Sequence, residues 1–249
     1  MHTQAEFHYG RRQRIRYDKT GQPIYTWLPL ERQDFLDPQE GDEFAHGPRH
    51  AADVQTLRRI LRAVQRFNPA TVVLSAVKIR WPQPGLPAPA PDLAIVTPVS
   101  DPGRRRTLFD LAAEGAAVPF ILEVTSPQLA ELDLVDKRQL YENYRVGEYF
   151  ILHSDEDALT GAVRYQWFGY RLEGTSYQPI QPDNEGRLYS ATNWAWFAVA
   201  AGGVTVIDER SGQPLLPDPQ YDEPVVAAEA EAAFRAGSIA AQLDFLRGE

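Results

Sequence analysis

The chain has 249 residues, a formal charge of −9 and no cysteine, with 43% apolar and 24% charged residues. This is the composition of a folded chain with enough apolar residues for a sizeable core. The lack of cysteine excludes disulfides, thiolate metal sites and a cysteine nucleophile. No apolar run reaches the ~18 to 20 residues of a membrane span, the first residues lack an apolar signal region, and the acidic balance argues against holding nucleic acid by bulk charge alone; the expectation is a cytoplasmic protein.

In chain order, RQRIRY and PIYTW flank the turn signal Asp18-Lys19-Thr20-Gly21, which predicts a hairpin in an N-terminal arm over residues 1–35. Residues 36–49 are acidic and turn-rich. Val54, Leu57, Leu61 and Val64 then recur at helical spacing, predicting a helix over 50–67 that ends at Asn68-Pro69. TVVLSAVKIRW (71–81) is strand-like and a Pro-rich connection follows. DLAIV (92–96), PFILEV (119–124) and EYFILH (148–153) are short apolar runs of the kind that form buried strands. The segment SDPGRRRTLFDLAAEGAA between the first two is expected to be a loop with one helical turn. LDLVDKRQLYENY (132–144) is helical and lies between the last two strands, so PFILEV and EYFILH are expected to pair in parallel.

Beyond residue 154 the expectation is antiparallel strands extending the same core. After a Pro-rich linker, residues 225–247 form an alanine-rich amphipathic helix whose apolar stripe packs on the chain's own core or on a second copy, in a homodimer. The predicted fold is α/β, with a mixed sheet flanked by helices, a β-rich C-terminal extension and a C-terminal helix. The main domain spans 36–215, and 216–249 forms the linker and helix.

Phosphate-loop, GxGxxG, HExxH and GxSxG motifs are all absent, and the five histidines lack metal-ligand spacing. What stands out is acidic residues at the ends of apolar strands. Asp92 opens DLAIV, and Glu123 lies in PFILEV, where a lone buried carboxylate would be costly. Singly, Asp92 reads as a turn residue after Pro91, and Glu123 as half of a buried ion pair with an arginine. Together, on neighbouring strands, they suit an all-oxygen site for Mg²⁺ or Mn²⁺. Asp133, Lys137 and Tyr141 share one face of the following helix, and Lys137 is one of only three lysines among 25 basic residues. A plain Asp133–Lys137 helix pair is the competing reading. The arginine groups 11–16, 58–62 and 104–106 either contact phosphates or form solvated faces.

Pro91-Asp92 leading into LAIV, Glu123 in ILEVTSP, DLVDKRQLY and GEYFIL together resemble the core of the Uma-two family, restriction-endonuclease-like proteins with the PD-(D/E)XK nuclease fold. The superfamily's usual lysine, two residues after the glutamate, is replaced here by Thr125; the family's lysine on the following helix maps to Lys137. The resemblance implies a metal-dependent endonuclease acting on DNA. Asp92, Glu123 and the Val124 carbonyl would hold Mg²⁺ or Mn²⁺, Lys137 would orient water or stabilise charge, and Tyr141 would position Lys137. His50 and Glu43 are supporting candidates near the first helix, and Asp133 is a partner for Lys137. Two alternatives stand beside this: a non-catalytic nucleic-acid-binding or regulatory scaffold of the same fold, and a glycosidase-like enzyme using two carboxylates.

Overall fold

The computed structural model describes residues 9–157, 159–200 and 203–217. They fall into two compact units, the first ending at Gly47 and the second beginning at Pro48. The helix expected over 225–247, and the dimer contact expected from it, lie outside the described residues. Among the described residues no helix is long and apolar enough to cross a membrane.

The first unit is a three-stranded antiparallel sheet. β1 (Gly10–Tyr17) pairs with β2 (Pro23–Pro29) on one side and β3 (Asp42–Phe44) on the other. The expected hairpin turn is present: one Asp18 oxygen accepts from the backbone N–H groups of Thr20 and Gln22, the local bonding that makes Asp a turn residue. Arg12 reaches across the sheet to Asp42 and Asp34, and Phe35 packs on Phe44 with ring centroids 4.2 Å apart.

The second unit is built on a six-stranded sheet. In the order in which they appear along the chain, its strands are β4 (Val72–Leu74), β6 (Leu93–Thr97), β8 (Ala117–Thr125), β9 (Glu148–Glu156), β10 (Val163–Glu173) and β11 (Ser176–Pro179). In space the order is β11-β10-β9-β8-β6-β4. Only β8 and β9 are parallel, with Glu123 opposite Ile151. The connecting helix permits that pairing, since parallel neighbours need a crossover. The chain enters β9 so close to β8 that a Cβ on Gly147 would lie 2.8 Å from the Pro119 carbonyl oxygen. Any larger residue there would push the two central strands apart.

Alternation along the strands divides the core in two. Leu93, Ile95, Phe120, Leu122, Phe150 and Leu152 face α1 (Pro48–Gln65), whose Leu57, Ile60 and Leu61 are buried among them. The same layer contains Phe197 and Val206 of a second sheet, β12 (Leu188–Ser190), β13 (Ala195–Ala200) and β14 (Gly203–Asp208). The opposite layer holds Ala94, Val96, Ile121, Tyr149 and Ile151 beneath Tyr141 and Tyr144 of the crossover segment. Tyr144 stacks on Trp81 at 4.4 Å between centroids, and its hydroxyl donates to the Pro87 carbonyl at 2.6 Å.

Three expectations change. The strand over 71–81 breaks at Ala76, which takes a left-handed φ of 51°. Its second half, β5 (Lys78–Arg80), leaves the main sheet and pairs in parallel with β7 (Leu108–Asp110). β7 and α2 (Leu111–Glu114) lie in the stretch read as a loop with one turn. The crossover helix starts as a π-helical turn, Leu132–Lys137, and only then continues as α3 (Arg138–Asn143). β12–β14 form the expected antiparallel extension on the same core, as a sheet of their own with Phe197 and Val206 in the α1 layer.

Glu148, at the start of β9, ties the two sheets together. Its buried carboxylate accepts from Arg171, from the Ser190 hydroxyl at 2.6 Å and from the N–H groups of Ala191 and Thr192. Glu148→Ala strands all these donors, and the expected loss is about 3 to 5 kcal/mol of stability. Urea denaturation at pH 7 measures it.

Candidate functional site

β6 and β8 run antiparallel with Leu93 opposite Leu122, so Asp92 and Glu123 meet at the end of β8 from which the chain leaves for the crossover helix. The Asp92 N–H donates to Glu123 Oε2 at 3.2 Å, and the Val124 N–H donates to Asp92 Oδ2 at 2.8 Å. Phe120, Leu122 and Val124 fill the α1 layer, so the pleat sends Glu123 to the other face, under the crossover segment. There Tyr141 donates its hydroxyl to Glu123 Oε1 at 2.8 Å, and Lys137 Nζ lies 3.1 Å from Oε2. Lys137 Nζ is also 2.9 Å from Asp133 Oδ1.

Glu123 therefore has the buried ion pair that its setting requires, but with a lysine instead of an arginine. The helix pair Asp133–Lys137 exists as well, as the base of this cluster. Tyr141, expected to position Lys137, donates its hydroxyl to Glu123 and so holds the carboxylate in place. His50, in the first turn of α1, lies with Nε2 3.0 Å from Asp92 Oδ2. Glu43 belongs to the first unit, where its carboxylate accepts from Arg11 at 2.8 Å.

Tyr149 was not anticipated. Its buried hydroxyl donates to the Asp133 carbonyl at 3.0 Å, fixing the π-helical turn that presents Asp133 and Lys137. The signal lay in EYFILH: Tyr149 and Ile151 alternate with Phe150 and Leu152, so a hydroxyl at 149 faces the same layer as Glu123.

Burial dominates the electrostatics. Glu123 is 1% exposed, and desolvation raises its pKa from 4.5 to about 8, with Asp92 and Asp133 adding to the rise against the pull of Lys137 and Tyr141. Burial also works against the Lys137 ammonium, but Asp133, Glu123 and Asp92 outweigh it and hold its pKa above the ordinary lysine value. Lys137 is thus held in its charged form. For His50, burial opposes protonation, while Asp92 and Glu123 prevail and raise its pKa.

These shifts set an expected pH dependence. Because folding favours protonated Glu123, its contribution to stability is full below about pH 4.5 and declines up to about pH 8. His50 acts in the same direction: its contribution is present below 6.5 and is lost as the pH rises through its raised value. Metal-free protein is expected to lose stability between pH 5 and 8, and Glu123→Gln to lose less over the same span. Urea midpoints at several pH values in EDTA test this; parallel curves for the two proteins would contradict it.

Three carboxyl groups, Asp92, Glu123 and Asp133, gather around one ammonium and one imidazole here. The donors are hard oxygens, the chemistry that suits Mg²⁺ or Mn²⁺. Among the described residues no group of three or more His, Cys, Asp or Glu could by itself hold a metal ion. Mg²⁺ does not need such a cage, since it keeps several waters and binds through one or two carboxylates plus substrate phosphate. The residues fit that mode.

Comparison with known proteins agrees with this reading of the sequence. The sequence profile of the Uma2 family, described as "Putative restriction endonuclease", matches residues 41–198. A solved structure, "a putative nuclease belonging to DUF820" from Anabaena variabilis, is similar at 12% identity with a TM-score of 0.41, over 62% of this chain and 80% of that one. No curated protein matches the chain in sequence. Since the profile covers more than half of its length and the strand order is that of a mixed, helix-flanked sheet, the chain belongs to the Uma2 family, a membership that supports a nuclease function.

Proposed function

We propose that the protein is an endonuclease that hydrolyses DNA phosphodiester bonds with the aid of a divalent cation, Mg²⁺ or Mn²⁺. The observation that carries the reading is the meeting of Asp92 and Glu123, from adjacent strands, with the buried ammonium of Lys137 3.1 Å from Glu123. Asp92, Glu123 and the Val124 carbonyl would hold the cation. When bound, such an ion supplies Lewis-acid polarisation of the phosphate and lowers the pKa of a bound water.

The chain's own residues do the rest. Tyr141 fixes the Glu123 carboxylate through Oε1, and the Val124 N–H and His50 fix Asp92 through Oδ2. Lys137, kept protonated by its carboxylate neighbours, offers positive charge to the oxygens on which negative charge grows during phosphoryl transfer. Asp133 is a positioning residue for Lys137, and Tyr149 holds the turn that carries it. A role for Glu43 in this site finds no support beyond its sequence position.

Plasmid nicking with Mg²⁺, with Mn²⁺ and with EDTA, comparing the wild type with Glu123→Ala, tests the proposal. Cation-dependent nicking that Glu123→Ala abolishes is the expected result. Equal inertness of both proteins under every condition would give the lead to a non-catalytic scaffold.

A further inference from the structure

The hairpin of the first unit is strongly basic. Residues 10–29 hold Arg11, Arg12, Arg14, Arg16 and Lys19 against the single carboxylate of Asp18, in a protein whose total charge is −9. The profile match begins at residue 41, so this ribbon stands outside the matched family region.

The register sorts its side chains into two faces. Arg12, Arg14 and Arg16 lie opposite Leu28, Thr26 and Ile24; Gln13, Ile15 and Tyr17 lie opposite Trp27, Tyr25 and Pro23. Arg11 is occupied by Glu43, with its guanidinium 4.0 Å over the Trp27 ring, and Arg12 is occupied by Asp42 and Asp34. Arg14, Arg16 and Lys19 are exposed, and none has a carboxylate partner among the described residues. Asp18, the one acid nearby, is spent inside the turn on Thr20 and Gln22.

We propose that the basic face of this ribbon, through Arg14, Arg16 and Lys19, binds the phosphate backbone of duplex DNA. Three exposed cations without a carboxylate partner among the described residues are complementary to a polyanion, and phosphate contacts are what such residues supply. A duplex fits better than a single strand because Tyr17, Tyr25 and Trp27 are on the opposite face, whereas single-strand grooves interleave aromatic rings with cations. DNA fits better than RNA because a two-stranded ribbon enters the ~12 Å major groove of B-form DNA, while the A-form major groove is too narrow. The inference rests on the nuclease reading only for its choice of nucleic acid.

Fluorescence anisotropy of the full chain in EDTA, where cleavage is absent, tests the assignment. The probes are a 20-base-pair DNA duplex, its single strand and the RNA duplex of the same sequence. The triple variant Arg14→Gln, Arg16→Gln, Lys19→Gln is expected to bind the DNA duplex at least tenfold more weakly. Its log–log salt slope should be shallower by about 0.9 for each lost phosphate contact. Arg14→Lys with Arg16→Lys, which keeps the charge, should retain most of the affinity, and all three positions are exposed, so melting temperatures should not move.

Equal duplex affinity in the triple variant, or tighter binding of the single strand or of RNA, would overturn the proposal. So would a dimer that Trp27→Ala dissociates while the triple variant binds DNA normally, since the ribbon would then serve a second copy. The nuclease reading is judged separately. Weaker duplex binding by the triple variant in EDTA supports the ribbon whatever the nicking assay gives, and nicking without ribbon-dependent binding removes the ribbon alone.

Discussion

Glu123→Gln is expected to reduce cleavage by at least about 10²–10³-fold, the range for removing one preorganised group that stabilises transition-state charge. The amide keeps the shape of the side chain. With its carbonyl in the Oε2 position it still accepts from the Asp92 N–H and Lys137. Its NH2 can donate to the Tyr141 hydroxyl, and Lys137 still pairs with Asp133, 2.9 Å away. What disappears is one of the two carboxylates proposed to hold the cation. The fold should be unharmed and, above neutral pH without metal, slightly steadier, because the buried charge that raises the Glu123 pKa to about 8 is gone. Single-turnover cleavage with saturating Mn²⁺, together with urea denaturation in EDTA, separates the two effects. Loss of activity through unfolding would contradict the account.

Lys137→Ala has the opposite signature. It removes the one ammonium among Asp133, Glu123 and Asp92 and leaves their charges facing each other under cover. Stripping one partner from a buried pair typically costs about 3 to 5 kcal/mol, so the metal-free variant should be markedly unstable at pH 7 and recover as the carboxylates protonate on acidification. Cleavage should fall by about 10²–10³-fold, yet Mn²⁺ affinity should hold or increase, because the competing cation has left. Mn²⁺ should therefore raise the melting temperature of Lys137→Ala more than that of wild type. Lys137→Arg should restore little activity, since a planar guanidinium cannot sit where a compact ammonium touches two carboxylates. Near-wild-type turnover in Lys137→Arg would reduce the role of Lys137 to charge alone.

The residues of the site could be read early because of their surroundings. A carboxylate inside PFILEV or at the head of DLAIV is conspicuous, since every neighbour is apolar and burial demands a partner. The mixed sheet was equally readable, because three short apolar runs with one helix between the last two leave few ways to pair. The partners of the site residues were less legible. Asp133, Lys137 and Tyr141 at i, i+4 and i+8 look the same in an α-helix and in one that starts with a π turn, so spacing could not tell that Tyr141 reaches Glu123.

The break at Ala76 was hidden for a related reason. Alanine rarely takes a positive φ, so nothing in TVVLSAVKIRW signals that β5 departs to join β7. A three-residue strand such as β7 is too short for alternation to register. His50 could be read as a supporting candidate or as a polar residue at a helix start, but not as the partner of Asp92, 42 positions along the chain.

Calorimetric titration of the metal-free protein with Mn²⁺ tests the central claim most directly, using wild type, Asp92→Asn and Glu123→Gln. Outer partners of metal ligands already cost about 10–100-fold in affinity when mutated, so each substitution of a ligand itself is expected to weaken Mn²⁺ binding at least tenfold while both variants remain folded. Unchanged Mn²⁺ affinity in the two folded variants would contradict the assignment of Asp92 and Glu123 as the cation site.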